Sequence, residues 1–431
     1  VLIRTFSIIG GASAYTPGLV GALLRHSTKL RLQEVRLFDI DAHRLEIVAR
    51  LCQAMARAQE APFRVTAGTD LRDAVRGADA VLNSARPGGF QARRIDETLP
   101  LEFDLPGQET VGPGGFLFAL RSVPQALELA RTMEESAPNS ILLNYTNPTN
   151  IVTQALLDTT ALPVVGLCDQ ADDDLRVLGQ ACGYKAGNVT YGCNGLNHAT
   201  WYAGIEFGGV RFQLGRPKPI PPESLDEEHR LRFDISWQMA RRHPRLWPNS
   251  YLAYYERPEL FVALSRKLGP RTDVIVRDLD GYYEHFAEEA LKARPDLRRH
   301  RGTPEYGDMA VRVLVALGTP RPRQLTLNVK NGEATEQLNP ETVIETVVDV
   351  DQRGVHKSQA PELPDHQIPR TRALERYQRA TARVAVNGDT SSLADALATN
   401  PLVHGRKQAE AILKRARHVY GDRVAVLSGV G

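Results

Sequence analysis

The chain has 431 residues, 42% of them hydrophobic and 24% charged, with a net charge of +2. Its length predicts a large core split into two or three lobes, and its near balance of charge gives no basis for a nucleic-acid or membrane partner. Four cysteines (Cys52, Cys168, Cys182, Cys193) make no disulfide framework at this length, no run reaches transmembrane length and none reads as a signal peptide, so a reducing cytoplasm is the expected setting.

The first apolar run, Val1 to Ile9, passes directly into Gly10-Gly11-Ala12-Ser13-Ala14-Tyr15-Thr16-Pro17. A strand, a glycine turn and a helix start together present backbone N–H groups to a pyrophosphate. The third glycine of the usual fingerprint is replaced by Tyr15. Asp39 closes a second strand at the distance where an acid meets adenosine ribose hydroxyls, which supports an NAD-binding reading over a bland turn. Strands are predicted at Thr5–Ile9, Val35–Asp39, Arg64–Ala67, Ala80–Asn83, Ile141–Asn144 and Pro163–Leu167, with helices such as Ala42–Ala58 between them. This is the rhythm of a Rossmann-like, doubly wound parallel α/β sheet. The pattern changes near Gly183. Strand-like stretches at Val189–Tyr191 and Thr200–Phe207 flank Gly195-Leu196-Asn197-His198, and residues 216–222 read as a proline-rich loop. Helical patterns fill 224–300, strands recur at Leu325–Val329 and Thr342–Val350, and 366–418 is amphipathic helix. The expected division is an NAD-binding domain over 1–182 and a mixed α+β domain over 183–431 carrying substrate, metal and oligomer contacts.

Polar residues gather at predicted strand ends, where such sheets bind ligands. Asn144-Tyr145-Thr146-Asn147-Pro148 offers amides for sugar hydroxyls or the nicotinamide, although an Asn–Pro turn is common without a ligand. Cys168-Asp169 ends another strand, and His198 follows thirty residues on. A thiolate and an imidazole suit a divalent ion with open positions for substrate oxygens, against the alternative of a buried thiol and an unrelated histidine. Arg93, Asp96 and Glu97 precede Gly107-Gln108-Glu109-Thr110 and Gly112-Pro113-Gly114-Gly115. An arginine reading an anion fits there, and a solvated loop is the alternative, most readily for Asp96.

Taken in order, Gly-Gly-Ala-Ser-Ala-Tyr-Thr-Pro, Arg86-Pro-Gly-Gly, Arg93-x-x-Asp-Glu, Gly-Gln-Glu-Thr-x-Gly-Pro-Gly-Gly-Phe, Asn-Tyr-Thr-Asn-Pro, Gly-Leu-Cys-Asp, Gly-Leu-Asn-His and Pro248-Asn-Ser-Tyr251-Leu-x-Tyr-Tyr resemble glycoside hydrolase family 4, most closely its 6-phospho-β-glucosidase branch. The likeness runs from residue 5 to about 285 and continues more thinly to about 415 through Asn400-Pro401-Leu402. It implies NAD and a divalent ion, with manganese expected, and glycoside cleavage through C3 oxidation, C2 deprotonation and aglycone elimination without net redox change.

By the same resemblance Cys168 and His198 are metal ligands, Tyr251 is the C2 base with Tyr254 and Tyr255 as alternatives, and Asp169 matches the leaving-group acid of the α-phosphoglucosidases. Gly10, Gly11, Ser13, Tyr15, Asp39, Arg86, Glu109 and Asn144 are assigned to the cofactor, and Arg93, Asn147 and Arg271 to the sugar and its 6-phosphate. A homodimer or homotetramer is expected. Asp172 to Asp174 would repel a phosphosugar unless they face solvent at a helix start, which is the reading adopted. The sequence leaves open a 6-phospho-α-glucosidase or an unphosphorylated-glycoside hydrolase of the same family. Outside the family it leaves a 2-hydroxy acid dehydrogenase, which needs a His–Asp relay and no thiolate ligand, or a non-catalytic sensor.

Overall fold

The structure, a computed structural model, describes residues 2–185, 187–215, 218–298, 307–421, 424 and 427. Val1 of the first apolar run, Arg216 and Pro217 of the proline-rich stretch and residues 299–300 of the helical region lie outside the described residues.

Six parallel strands form the first half: β1 (Thr5–Ile9), β2 (Glu34–Phe38), β3 (Arg64–Gly68), β4 (Ala80–Asn83), β5 (Ile141–Asn144) and β6 (Val164–Gly166). Their spatial order is β6-β5-β4-β1-β2-β3. β1 pairs with β2 on one side and β4 on the other, so Ile9 lies opposite both Phe38 and Asn83. The chain reverses its winding there, and the loops leaving β1 and β4 separate to open a crevice at the strand ends. Strands buried on both faces are nearly continuous in apolar residues. Leu19, Leu23, Val48 and Leu314 cover one face, while Phe116, Leu120, Ile151 and Leu374 cover the other.

In the second half β7 (Val189–Leu196) and β8 (Ala199–Phe207) make a hairpin, with Leu196 paired to Ala199 across a turn of Asn197 and His198. β9 (Val210–Arg211) and β10 (Trp247–Pro248) pair with β8. β11 (Arg323–Lys330), β12 (Val343–Asp351) and β13 (Gly354–Lys357) join the parallel sheet instead of forming a sheet of their own. They add antiparallel strands beyond β6, with Asn328 opposite Gly166, giving nine strands among the described residues. The sheet thus crosses the boundary expected at 182/183. Without this addition β6 would present an unpaired edge. The expected helix over 366–418 is three helices, Ile368–Asn387, Leu393–Ala398 and Arg406–Tyr420, interrupted at Gly388 and Gly405, both at positive φ. Among the described residues no helix is long and apolar enough to cross a membrane.

Candidate active site

A cleft of about 1420 Å³ opens at the carboxyl ends of β1, β2, β4, β5 and β6, and the Asn197–His198 hairpin turn reaches it from the second half. At one end lies the glycine turn. Gly10 has φ +91°, and a Cβ there would come within 2.9 Å of the Ser84–Ala85 peptide, so only glycine fits. The Gly10 and Gly11 N–H groups donate to Phe38 O at 3.0 and 2.8 Å, and Ala12 N–H donates to Asp39 Oδ2 at 3.0 Å. These amides close the turn onto β2, contrary to the expectation that they face a pyrophosphate. Ser13 and Tyr15, the N-cap of the helix Thr16–Arg25, line the cleft instead. Asp39 also accepts from Asp41 N–H at 3.1 Å. A carboxylate has about four lone-pair sites, so acceptor capacity for ribose hydroxyls is left.

Asn144 and Gly11 do not line the cleft. The Asn144 amide donates to Thr146 O and Thr153 Oγ1 at 3.1 and 3.2 Å and its oxygen accepts from Asn83, so it ties strand ends together inside the fold. Asn147 does face the cleft. Its carboxamide oxygen accepts from Thr149 N–H and Oγ1–H, leaving its amide nitrogen as the donor for a ligand.

Cys168 leaves β6 and His198 sits in the hairpin turn at φ +64°, a backbone region histidine enters more readily than most residues. Cys168 Sγ and His198 Nε2 are 3.6 Å apart. For a zinc-sized ion, metal–sulfur and metal–nitrogen bonds of about 2.3 and about 2.1 Å sum to more than this, so one ion can reach both atoms. Burial and the Arg232 charge push His198 down to about 3, which keeps the imidazole neutral as a ligand must be. Burial, with the nearby Glu345 carboxylate, pushes the Cys168 thiol up. Among the described residues no third His, Cys, Asp or Glu completes a cluster, so further coordination falls to other oxygens.

The Tyr251 ring stacks on the His198 ring at 3.9 Å and 9°, and the Arg232 guanidinium lies 4.0 Å from the Tyr251 centroid. Burial raises the Tyr251 phenol and the Arg232 charge opposes this. Arg232 is buried, donates to Ser250 Oγ and comes from the helix Glu227–Ala240. Tyr254 donates to Glu228 at 2.7 Å and neither it nor Tyr255 lines the cleft, so of the three tyrosines Tyr251 alone faces a ligand there.

Asp169 accepts from Tyr145 O–H at the end of the neighbouring strand β5. Burial, with Asp172 and Asp173 adding to it against Tyr145 and Arg312, pushes Asp169 up to about 7. A carboxyl there holds a proton near neutral pH. Asp172 and Asp173 do lie in the first turn of the helix Gln170–Ala181, where Asp172 pairs with Arg312 at 2.6 Å. Asp174 departs from the solvent-facing reading. It is buried and accepts from Ser250 N–H, Tyr202 O–H and the Gln170 amide, so its carboxyl orders the loop before Tyr251.

Glu109 joins Arg86 to Arg93, which lies 3.2 Å away, and Arg93 Nε donates to Glu97 at 2.7 Å. Glu97 also accepts Thr272 N–H, and Arg271 beside it is more than half exposed, 3.4 Å from Asp226. Asp96 is fully buried and bidentate to Arg121, which excludes the solvated-loop reading; Tyr420 O–H also donates to it. Gly10, Ser13, Tyr15, Asp39, Arg86, Arg93, Glu109, Asn147, Cys168, Asp169, His198, Tyr251 and Arg271 therefore share one cleft. Sequence reasoning gave no role to Arg232, Tyr145 or Glu345. Tyr145 was findable, since it and Asp169 follow adjacent strands. Arg232 and Glu345 carry no local motif.

Residues 5–173 match the model of family 4 glycosyl hydrolase and residues 193–403 that of the family 4 glycosyl hydrolase C-terminal domain. The chain is 29% identical over 418 residues to a Bacillus subtilis (strain 168) protein named "Probable 6-phospho-beta-glucosidase", covering 94% of this chain and 93% of that one. Its fold is similar to that of a 6-phospho-alpha-glucosidase from gut microorganisms in complex with NAD and Mn2+ (TM-score 0.86, 21% identity, 98% and 99% of the two chains). It is also similar to that of the Thermotoga maritima 6-phospho-beta glucosidase with manganese, NAD+ and glucose-6-phosphate (TM-score 0.83, 23% identity, 97% and 99%).

Proposed function

Because the chain belongs to glycosyl hydrolase family 4, we propose that it hydrolyses 6-phospho-β-glucosides with NAD and a divalent cation, manganese first, as cofactors. The observation that carries this reading is the meeting of Cys168, His198 and Tyr251 in the same cleft as the Gly10–Asp39 turn. The names and ligands of the similar proteins support both the cofactors and a phosphorylated sugar.

When bound, NAD supplies a reversible hydride acceptor for sugar C3, and the cation supplies Lewis-acid polarisation of the C3 oxygen. Cys168 and His198 would hold the cation. Tyr251 Oη removes the proton at C2; its phenolate is favoured by the Arg232 charge over one face of the ring, and a cation held by Cys168 and His198 would favour it further. The Asn147 amide and Arg93 orient the sugar. Arg271, released from its 3.4 Å contact with Asp226, meets the 6-phosphate. Glu109 keeps Arg86 and Arg93 in place between cofactor and sugar.

A second reading, the α-anomer, is favoured by Asp169. A carboxyl raised to about 7, hydrogen-bonded to Tyr145, suits a general acid for the leaving oxygen. Hydrolysis of p-nitrophenyl 6-phospho-β-glucoside, its α-anomer and the two unphosphorylated glucosides, each with and without NAD+ and Mn2+, tests both. Cleavage of a phosphorylated substrate that needs both cofactors without accumulating NADH is expected. Steady NADH formation from a hydroxy acid with no cleavage would overturn the proposal.

A further inference from the structure

We infer that Thr110 and Gln108 are positioning residues that hold His198 in its Nδ1–H tautomer, so that the Nε2 lone pair faces Cys168 Sγ and a cation shared with it. The inference rests on the reading of Cys168 and His198 as metal ligands. Gln108 Oε1 accepts Thr110 N–H at 2.5 Å, which fixes the oxygen and not the amide nitrogen of Gln108 on this side. The same oxygen takes the Thr110 hydroxyl proton at 2.7 Å. A hydroxyl has one proton, so toward His198 Nδ1, 3.2 Å away, Thr110 offers only a lone pair. The ring must bring the hydrogen to that contact. A neutral imidazole carries one N–H, so Nε2, 3.6 Å from Cys168 Sγ, is bare.

The glycines after this loop explain how it is held. A Cβ on Gly114 would come within 2.3 Å of Gln108 O, and one on Gly115 within 2.5 Å of Thr110 O. The first turn of the helix Gly112–Ser136 thus presses directly on the backbone of both residues, and the Gly-Pro-Gly-Gly run is what permits the contact. Orienting the far nitrogen of a metal-binding imidazole in this way is worth about 10–100-fold in metal affinity.

The test compares Thr110→Val with Thr110→Ser and Gln108→Leu with Gln108→Glu. Manganese affinity is read by electron paramagnetic resonance on NAD-loaded protein, and the His198 tautomer by 15N shifts of metal-free protein. Thr110→Val and Gln108→Leu are expected to lose about 10–100-fold in Mn2+ affinity with NAD affinity unchanged, while Thr110→Ser and Gln108→Glu keep it. Wild-type affinity in both Thr110→Val and Gln108→Leu, a Thr110→Ser as weak as Thr110→Val, or an Nε2–H signal in the wild type would overturn the inference. If Thr110→Val fails to bind NAD, the Gln108 pair decides alone. A wild type with an Nδ1–H signal and no Mn2+ binding would sink the metal reading and leave the tautomer assignment standing.

Discussion

Replacing Glu345 by glutamine tests a charge buried beneath the cleft. Glu345 on β12 is fully buried and accepts from Asn197 Nδ2 at 2.7 Å and Thr200 Oγ1 at 2.9 Å, on either side of His198. Burial pushes its carboxyl from the ordinary 4.5 to about 7, with those two hydrogen bonds opposing. Below pH 4.5 both folded and unfolded chains are protonated there, and the group adds no pH dependence. Between 4.5 and about 7 the unfolded chain ionises first, so each rise in pH favours unfolding. At about 1.36 kcal/mol per pH unit the complete loss is about 3 kcal/mol, reached above pH 7. The glutamine side chain in Glu345→Gln would leave one of the two donors facing an amide N–H, at a pH-independent cost of about 1–3 kcal/mol. The intercept therefore moves, but the slope carries the test. Urea unfolding at pH 5 and pH 8 covers most of that window, and should show the wild type losing about 2.5 kcal/mol more than Glu345→Gln. Parallel pH dependences would refute the assignment of a raised Glu345.

Cys168→Ser is expected to weaken Mn2+ binding by at least about a hundredfold while NAD affinity is kept; a titration of each ligand checks both. Tyr251→Phe should slow exchange of the substrate C2 hydrogen with solvent deuterium by about 10²–10⁴-fold, followed by mass spectrometry of recovered substrate, and unchanged exchange would move the base elsewhere. Tyr420→Phe removes a donor to the buried Asp96 carboxylate and should cost about 1.5–3 kcal/mol, read as a lower urea midpoint at constant slope. Because Arg121 in the same network donates to Pro87 O, NAD affinity should fall with it.

The central parallel strands were legible because they are apolar runs closed by polar turns, and β1, β4 and β5 fall where read, while β3, Arg-Val-Thr-Ala-Gly at the sheet edge, shows only a short β-prone stretch. The cluster at their ends was legible for the same reason: a doubly wound sheet brings strand ends together whatever the loops between them. What the sequence withheld is partnership. Leu325–Val329 reads as a strand, yet nothing in its alternation says that it lies against β6. Arg232 sits on an ordinary helix and reaches Tyr251 only because the Trp247–Pro248 strand docks on β8 beneath it. The Asp174 carboxylate was placed on the right helix but on the wrong side, since its hydrogen-bond partners, Tyr202 and Ser250, lie far along the chain.

The antiparallel hairpin that seals β6 also limits how such a chain can be taken apart or rebuilt. A fragment ending at 182 would carry the glycine turn but show a bare strand edge to every other copy, inviting intermolecular pairing. The cofactor-binding half is thus not a cassette that recombination can transplant. Its last structural strands are encoded more than 150 residues downstream of β6, so a segment that carries the glycine turn and also closes the sheet edge has to span most of the chain.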